Sequence, residues 1–367
     1  MSKVFSESLK KLYGPIGNPF YIYAPRWIES SAGIKALHLL CHALNEIGEM
    51  AFLVICEESH RNRPRINGLL KTPVLTQEIA DSHFQARLTP ITVYSETIPG
   101  NPIGAPFVVR FIGNYLGLLG GPQDFAKDDF IVAYSETLSK HAALKLDRED
   151  IFTLFFHAID PRSFEVEVEK EDFLLLYAAK YRIFHGEPDF KSDLQVIEIL
   201  RDGPLAQSRD ELLYLLRRAN GLVTFENSAI GMEAILSGTP VILIKNEFFS
   251  EGIADFETKG LGYRWGFSAE NLAEAKSELE LARQVYLESV EDFFPKLVEF
   301  VNRVQIASKK TEYKEVVIVP NYHHVINHHR LRMALMILKN QGVIQLIRVI
   351  KAFIARRKSS PNKVENL

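Results

Sequence analysis

One stretch restricts the fold more than any other: Gly221 to Ile244, GLVTFENSAIGMEAILSGTPVILI. Leu222 to Phe225 is a short apolar run containing β-branched Val223 and Thr224, and Val241 to Ile244 is a second one. Runs this continuous suit strands buried on both faces. Between them Ser228 to Leu236 reads as a helix, with Ser228 of a preferred N-cap type, Gly238 suited to the left-handed residue past the helix end, and Pro240 blocking continuation. A strand, tight turn, helix and strand in this order require a parallel sheet with helices on its faces.

In such a sheet the helix starts at the carboxyl ends of the strands, where its unpaired N–H groups and partial positive charge face the ligand crevice. Asn227 and Ser228 are therefore placed to seat a phosphate. Glu233 lies further along the helix, where a carboxylate can accept hydrogen bonds from the two hydroxyls of a ribose, and Glu226 stands at the strand end beside the same crevice. The competing reading is an ordinary crossover whose acids are solvated or paired.

Glu226, Asn227, Ser228, Gly231, Glu233, Ala234, Gly238, Pro240 and Val241 together resemble the nucleotide-sugar motif of GT-B glycosyltransferases, and bacterial surface-polysaccharide enzymes in particular. The resemblance implies an α/β fold of two Rossmann-like domains facing each other across a cleft. It also implies a ribose-binding role for Glu233. Glu226 and Glu233 are one residue closer together than the two glutamates of retaining members commonly are, which leaves the stereochemical course open.

A length of 367 residues fits two domains of ordinary size. The expected division is an acceptor-binding domain over 1–160, a nucleotide-sugar domain over 170–310 and a helical extension over 311–367. A formal charge of −3 argues against general affinity for nucleic acid. The amino terminus lacks the apolar core of a secretory signal and no run is long enough to span a bilayer, so a cytoplasmic protein is expected. Cys41 and Cys56, the only cysteines, read as buried free thiols.

Phe20 to Ala24 and Met50 to Cys56 read as strands, joined by a helix with Ile34, Leu37, Leu40, Cys41 and Leu44 on one face. The turn before that helix carries Glu29, a candidate catalytic carboxylate whose alternative is a surface acid near a helix start. His38 and His42, one helical turn apart, read as packing or exposed residues because no third metal ligand is evident. Phe107 to Phe111 reads as another strand, followed by a glycine-rich loop. Arg110 and Asn114 there resemble cleft-facing positions of related enzymes, which makes Arg110 the second catalytic candidate, as an acceptor contact. The region Asn67 to Gly104 shows no distinct motif.

After further strands at Asp129 to Tyr134 and Ile151 to Ala158, the charged segment 159–172 reads as the linker. In the second domain Lys180 and Arg201 each follow a strand at the ligand edge, where a cation neutralises a diphosphate; the alternative for Lys180 is an exposed loop. Ser208 and Glu211 form a capping-box pattern, and Asn220 with Gly221 would close the helix they open. His323, His324, His328 and His329 crowd one short stretch but read as a polar turn or helix surface rather than a metal site.

From Val343 to Lys358, paired apolar residues alternate with Arg348, Lys351, Arg356, Arg357 and Lys358. This broad apolar face with a basic edge suits an anionic membrane surface or the protein's own core. The expected partners are thus a nucleotide-sugar, a glycan or lipid-linked acceptor and a membrane surface, with no nucleic acid, no cofactor and no bound metal. The expected activity is sugar transfer; a nucleotide-sugar epimerase of the same fold and a non-catalytic sugar-binding protein remain the alternatives.

Overall fold

The computed structural model describes residues 17–55, 64–118, 121–164, 168–201, 205–246, 249, 255–311 and 314–318, with Leu9, Leu12, Gly14 and Ile347 as isolated positions. The chain divides into two compact units, Met1–Ala158 with Val290–Arg332 and Ile159–Ser289 with Met333–Leu367. Each described sheet is parallel throughout, so the α/β class with two parallel sheets holds.

The first unit contains strands β1 (Phe20–Ala24), β2 (Ala51–Ile55), β3 (Ile91–Ser95), β4 (Phe107–Ile112), β5 (Phe130–Ala133) and β6 (Phe152–Thr153), in the order β2-β1-β3-β4-β5-β6. Their apolar runs are continuous because both faces are covered: every residue of β1 and of β4 is buried. Helices α1 (Ala32–Glu46), α2 (Gln77–Gln85) and α3 (Glu136–Leu146) start where Ser31, Thr76 and Ser135 accept a hydrogen bond from a first-turn N–H group.

The second unit contains β7 (Glu171–Tyr177), β8 (Gln195–Glu198), β9 (Ala219–Thr224), β10 (Val241–Leu243) and β11 (Tyr263–Trp265), in the order β11-β10-β9-β7-β8. Its helices are α4 (Ala179–His185), α5 (Arg209–Arg218), α6 (Ile230–Leu236) and α7 (Ala269–Ser277). Helix α8 (Leu279–Glu291) then leads the chain back to α9 (Phe293–Ser308), which belongs to the first unit.

The assignment of α9 corrects the boundary expected at residue 310. Leu297, Phe300, Val301 and Val304, spaced along one helical face, join the core of the first sheet. The Phe300 ring lies 6.3 Å from Phe20 and 6.1 Å from Phe152. Full burial of such a side chain contributes about 1.5–3 kcal/mol. Polar contacts fix the helix end as well, with Asn18 donating to Gln305 at 2.9 Å and to Ser308 at 3.0 Å.

Two local expectations also change. Helix α5 passes into β9 without a turn, because Ala219 is both its C-cap and the first strand residue. Gly221 is therefore inside a strand, where a Cβ would come within 2.6 Å of Leu272 Cδ1; its smallness lets α7 pack on the sheet. Helix α6 begins at Ile230, after Ala229, so Ser228 is not its cap. Gly238 does take the left-handed conformation past the helix end, at φ 76°.

Both strand orders place a switch point in the middle of the sheet. From β1 the chain goes to β2 on one side and then to β3 on the other; from β7 it goes to β8 and then to β9. Ligands of open parallel sheets bind beyond the carboxyl ends of the strands at such points.

Candidate functional site

Beyond β7 and β9 the central group is Glu226. The Thr224 hydroxyl donates to the Glu226 carbonyl at 2.9 Å and accepts from the Glu226 N–H at 3.3 Å, a local turn that ends β9. The Glu226 carboxylate then reaches across to β7, where Oε2 accepts from the N–H groups of Lys180 at 2.5 Å and Tyr181 at 2.9 Å. Those groups open α4, whose own cap residue Ala178 offers no side-chain hydrogen bond. A carboxylate from the neighbouring strand thus does the capping, in a place the helix dipole favours. The other oxygen, Oε1, is buried with no hydrogen-bond partner among the described residues. Burial pushes the Glu226 carboxyl up, against the pull of the Lys180 charge and the two N–H groups.

Lys180, half-buried, donates from Nζ to the Asn227 carbonyl at 3.3 Å, so it lies beside the candidate phosphate turn rather than on a free loop. Asn227 and Ser228 are half-buried in that turn, and the Ser228 carbonyl accepts from Gly231 at 3.1 Å.

Arg201, Arg209 and Glu233 form a second cluster. Arg201 follows β8, Arg209 is the first residue of α5 after its Ser208 cap, and Glu233 is in α6. Arg201 donates to Glu233 Oε2 at 3.1 Å and Arg209 to Oε1 at 3.2 Å. The carboxylate side chain is 2% exposed, whereas the arginines keep 17% and 36% of theirs. The expected ribose ligand is thus a nearly buried carboxylate with one guanidinium donor on each oxygen, and each oxygen keeps further acceptor capacity. Sequence spacing did not single out Arg209. Its signal was a cation on the first turn of a helix, where the dipole disfavours positive charge.

The first unit separates its two expected residues. Glu29 is an exposed acid, 3.2 Å from the Trp27 Nε1 donor and 3.8 Å from Lys35 Nζ. Arg110 is buried, and its expected acceptor contact gives way to a structural role. Its guanidinium donates to Asp129 at 2.7 Å, to the Ile98 carbonyl at 3.0 Å and to the Gly100 carbonyl at 2.5 Å, between the rings of Tyr94 and Phe125. With these contacts and 4% side-chain exposure, it ties β4 to the loop after β3.

A carboxylate that carried no sequence signal lies nearby in the chain. Glu96 directly follows β3, is 6% exposed and accepts from the Gly113 N–H at 3.2 Å. Burial pushes its carboxyl up to about 7, although the Gly113 N–H pulls the other way.

His38 is packed, donating from Nε2 to the Pro25 carbonyl at 2.9 Å, and His42 accepts from the Lys71 N–H at 3.0 Å. Cys41 is a buried free thiol, and Cys56 lies outside the described residues. Among the described residues no group of three or more His, Cys, Asp or Glu side chains could hold a metal ion, and no helix is long and apolar enough to cross a membrane. His323 to His329 lies outside the described residues, as does Val343 to Lys358 apart from Ile347.

No protein-family model and no curated protein matches the chain. Among solved structures it is similar to WaaG, a glycosyltransferase involved in lipopolysaccharide biosynthesis, with 11% identity and a TM-score of 0.43 over 78% of this chain and 99% of that one. It is also similar to a glycosyltransferase from Rickettsia africae ESF-5, with 11% identity and a TM-score of 0.40 over 94% of this chain and 100% of that one. The glycosyltransferase SnogD from Streptomyces nogalater shows 12% identity and a TM-score of 0.38 over 80% and 100%. Likeness at this level assigns no role to any residue.

Proposed function

We propose that the chain is a glycosyltransferase that moves a sugar from a nucleotide-sugar donor to a polysaccharide or lipid-linked acceptor. The observation that carries the proposal is the Arg201–Glu233–Arg209 cluster at the ligand edge of the second sheet. One buried carboxylate holds two cations, so the cluster keeps a net positive charge on two partly open guanidinium groups. Paired guanidinium donors match the oxygens of a diphosphate. A nucleoside diphosphate gains negative charge as it leaves the sugar, and fixed cations there stabilise the transition state more than the bound donor. Lys180 adds a third cation, Asn227 and Ser228 line the adjoining turn, and the unpartnered Glu226 oxygen remains for a donor hydroxyl. Glu233 acts on the donor through the arginines it orients. No metal or cofactor is assigned a part.

The acceptor class rests on the motif resemblance and on Val343 to Lys358, whose apolar face and basic edge suit the cytoplasmic face of an anionic membrane. The test is incubation with a panel of nucleotide sugars, reading nucleoside diphosphate release and product mass. Release is expected with one donor class. Arg201→Met and Arg209→Met should each lower turnover by roughly 10- to 150-fold, the equivalent of losing a charged hydrogen bond of about 1.5–3 kcal/mol. A nucleotide sugar isomerised without release would establish an epimerase, and binding without turnover a sugar-binding protein.

A further inference from the structure

The connection from β3 to β4, residues 96–106, contains no helix, although parallel strands are usually joined through one. The sheet face beside it is still apolar, with Tyr21, Tyr94 and Val108 buried in one cluster. Part of the missing cover comes from the far end of the chain. Residues 314–318, which follow α9, place Val316 in that cluster at 4% exposure, and Ile318 packs against it. Val317, between them, is exposed. Exposure that alternates with period two belongs to an extended chain lying on an apolar surface.

The seat holds this segment by its main chain. Gln77, the first residue of α2, donates from Nε2 to the Val316 carbonyl at 3.2 Å and accepts at Oε1 from the Ile318 N–H at 2.9 Å. The Asp81 carboxylate accepts from the same Nε2 at 2.7 Å and fixes which way the amide faces. From the β3–β4 connection the Ile103 carbonyl accepts from the Val317 N–H at 3.3 Å. Asn101 stiffens that wall, accepting from the Tyr94 hydroxyl at 2.9 Å and the Ala105 N–H at 2.8 Å.

These contacts select an extended backbone and one buried β-branched side chain, the division of labour by which grooves recognise extended peptides. None of them requires the segment to be joined to α9. The hold is also light. Helix α9 sinks Leu297, Phe300, Val301 and Val304 into the core, whereas the segment sinks Val316 alone, between exposed Glu315 and Val317. Local opening begins where buried apolar contacts are few.

We propose that the seat between α2 and residues 98–105 is a binding site for an extended protein segment with a β-branched residue at its buried position, and that residues 314–318 occupy it as an exchangeable latch. The latch reaches the interior of the unit, because the connection it touches also supplies the Ile98 and Gly100 carbonyls that hold Arg110.

The probe is a labelled synthetic peptide of residues 312–320, titrated into full-length protein and read by fluorescence polarisation. Val316→Asp, which unseats the attached latch, should bind the peptide at least about tenfold more tightly than wild type, whose own latch competes at roughly millimolar effective concentration. Adding Gln77→Ala should weaken that binding roughly tenfold, through the loss of two main-chain hydrogen bonds. A peptide carrying Asp in place of Val316 should not bind. Equal binding by wild type and Val316→Asp, no binding by either, or binding of the Asp peptide overturns the proposal. Should Val316→Asp fail to fold, hydrogen exchange of the wild-type protein decides. The Val317 and Ile318 amides should exchange at least about 100-fold faster than those of Val301 and Val304. Equal rates would mean that the segment opens only with the whole unit, and would refute the latch.

Discussion

Glu233 and Glu96 are both nearly sealed from water, at 1% and 6% exposure, and both belong to the ligand edge of a parallel sheet. They differ in what answers their charge. Glu233 has a guanidinium on each oxygen, at 3.1 and 3.2 Å, whereas Glu96 has no cation but backbone N–H groups, that of Gly113 at 3.2 Å. The carboxylate with two guanidinium partners holds those cations in place. The one without a cation has its carboxyl pushed up by burial to about 7. Burial alone therefore does not decide what a secluded acid does; the partners do.

The largest effect should come from removing the paired acid. Glu233→Ala leaves Arg201 without a counter-charge at 17% exposure and opens a gap in a helix whose residues are all buried. Breaking a buried pair costs about 3–5 kcal/mol, and the value here should lie near 3 to 4 because Arg209, at 36% exposure, can turn to water. Denaturant unfolding measures it. A loss under about 1 kcal/mol would show that the arginines do not depend on Glu233, and the contrast with Glu96 would collapse.

The unpaired acid should show itself through pH. Its folded value of about 7 lies above the ordinary 4.5, so the native state binds a proton more tightly than the unfolded chain. The stabilisation is complete below about 4.5 and is lost as pH rises through about 7. The loss amounts to roughly 3 kcal/mol at most. In Glu96→Gln this slope should disappear. The difference between the two proteins isolates Glu96 from His157 of the same unit, whose value is lowered by burial to about 4 and whose stabilisation is lost in the opposite direction, as pH falls from 6.5 through 4. Parallel pH curves for wild type and variant would mean that Glu96 is ionised normally.

The sequence showed what depends on near neighbours in the chain. Continuous apolar runs revealed β1, β4, β7 and β9, and Gly238 with Pro240 marked the end of α6, because each signal acts within a few residues. Arg110 takes its place from Asp129, Ile98 and Gly100, partners in other segments that neighbours in the chain do not reveal. Glu96 passed unnoticed in a region without motifs because its seclusion is made by Gly113 and Gly121. Helix α9 carries an apolar stripe, but nothing in a stripe says which sheet it will cover. Glu226 was found as a crevice acid, while its capping of α4 needed the pairing of β7 with β9.

The smallest effect should come from the third acid, Glu29, a catalytic candidate of the sequence that the geometry leaves in water. Its side chain is 62% exposed and its contact with Lys35, at 3.8 Å, is a surface ion pair of a kind that contributes little. Nothing in its surroundings secludes it, and its other partner is the Trp27 indole N–H. Glu29→Gln should change stability by less than about 0.5 kcal/mol and leave kcat within about twofold. If Glu29→Gln instead lowered kcat by about tenfold or more, an exposed carboxylate would take part in the reaction, and burial would no longer mark the acids on which the protein depends.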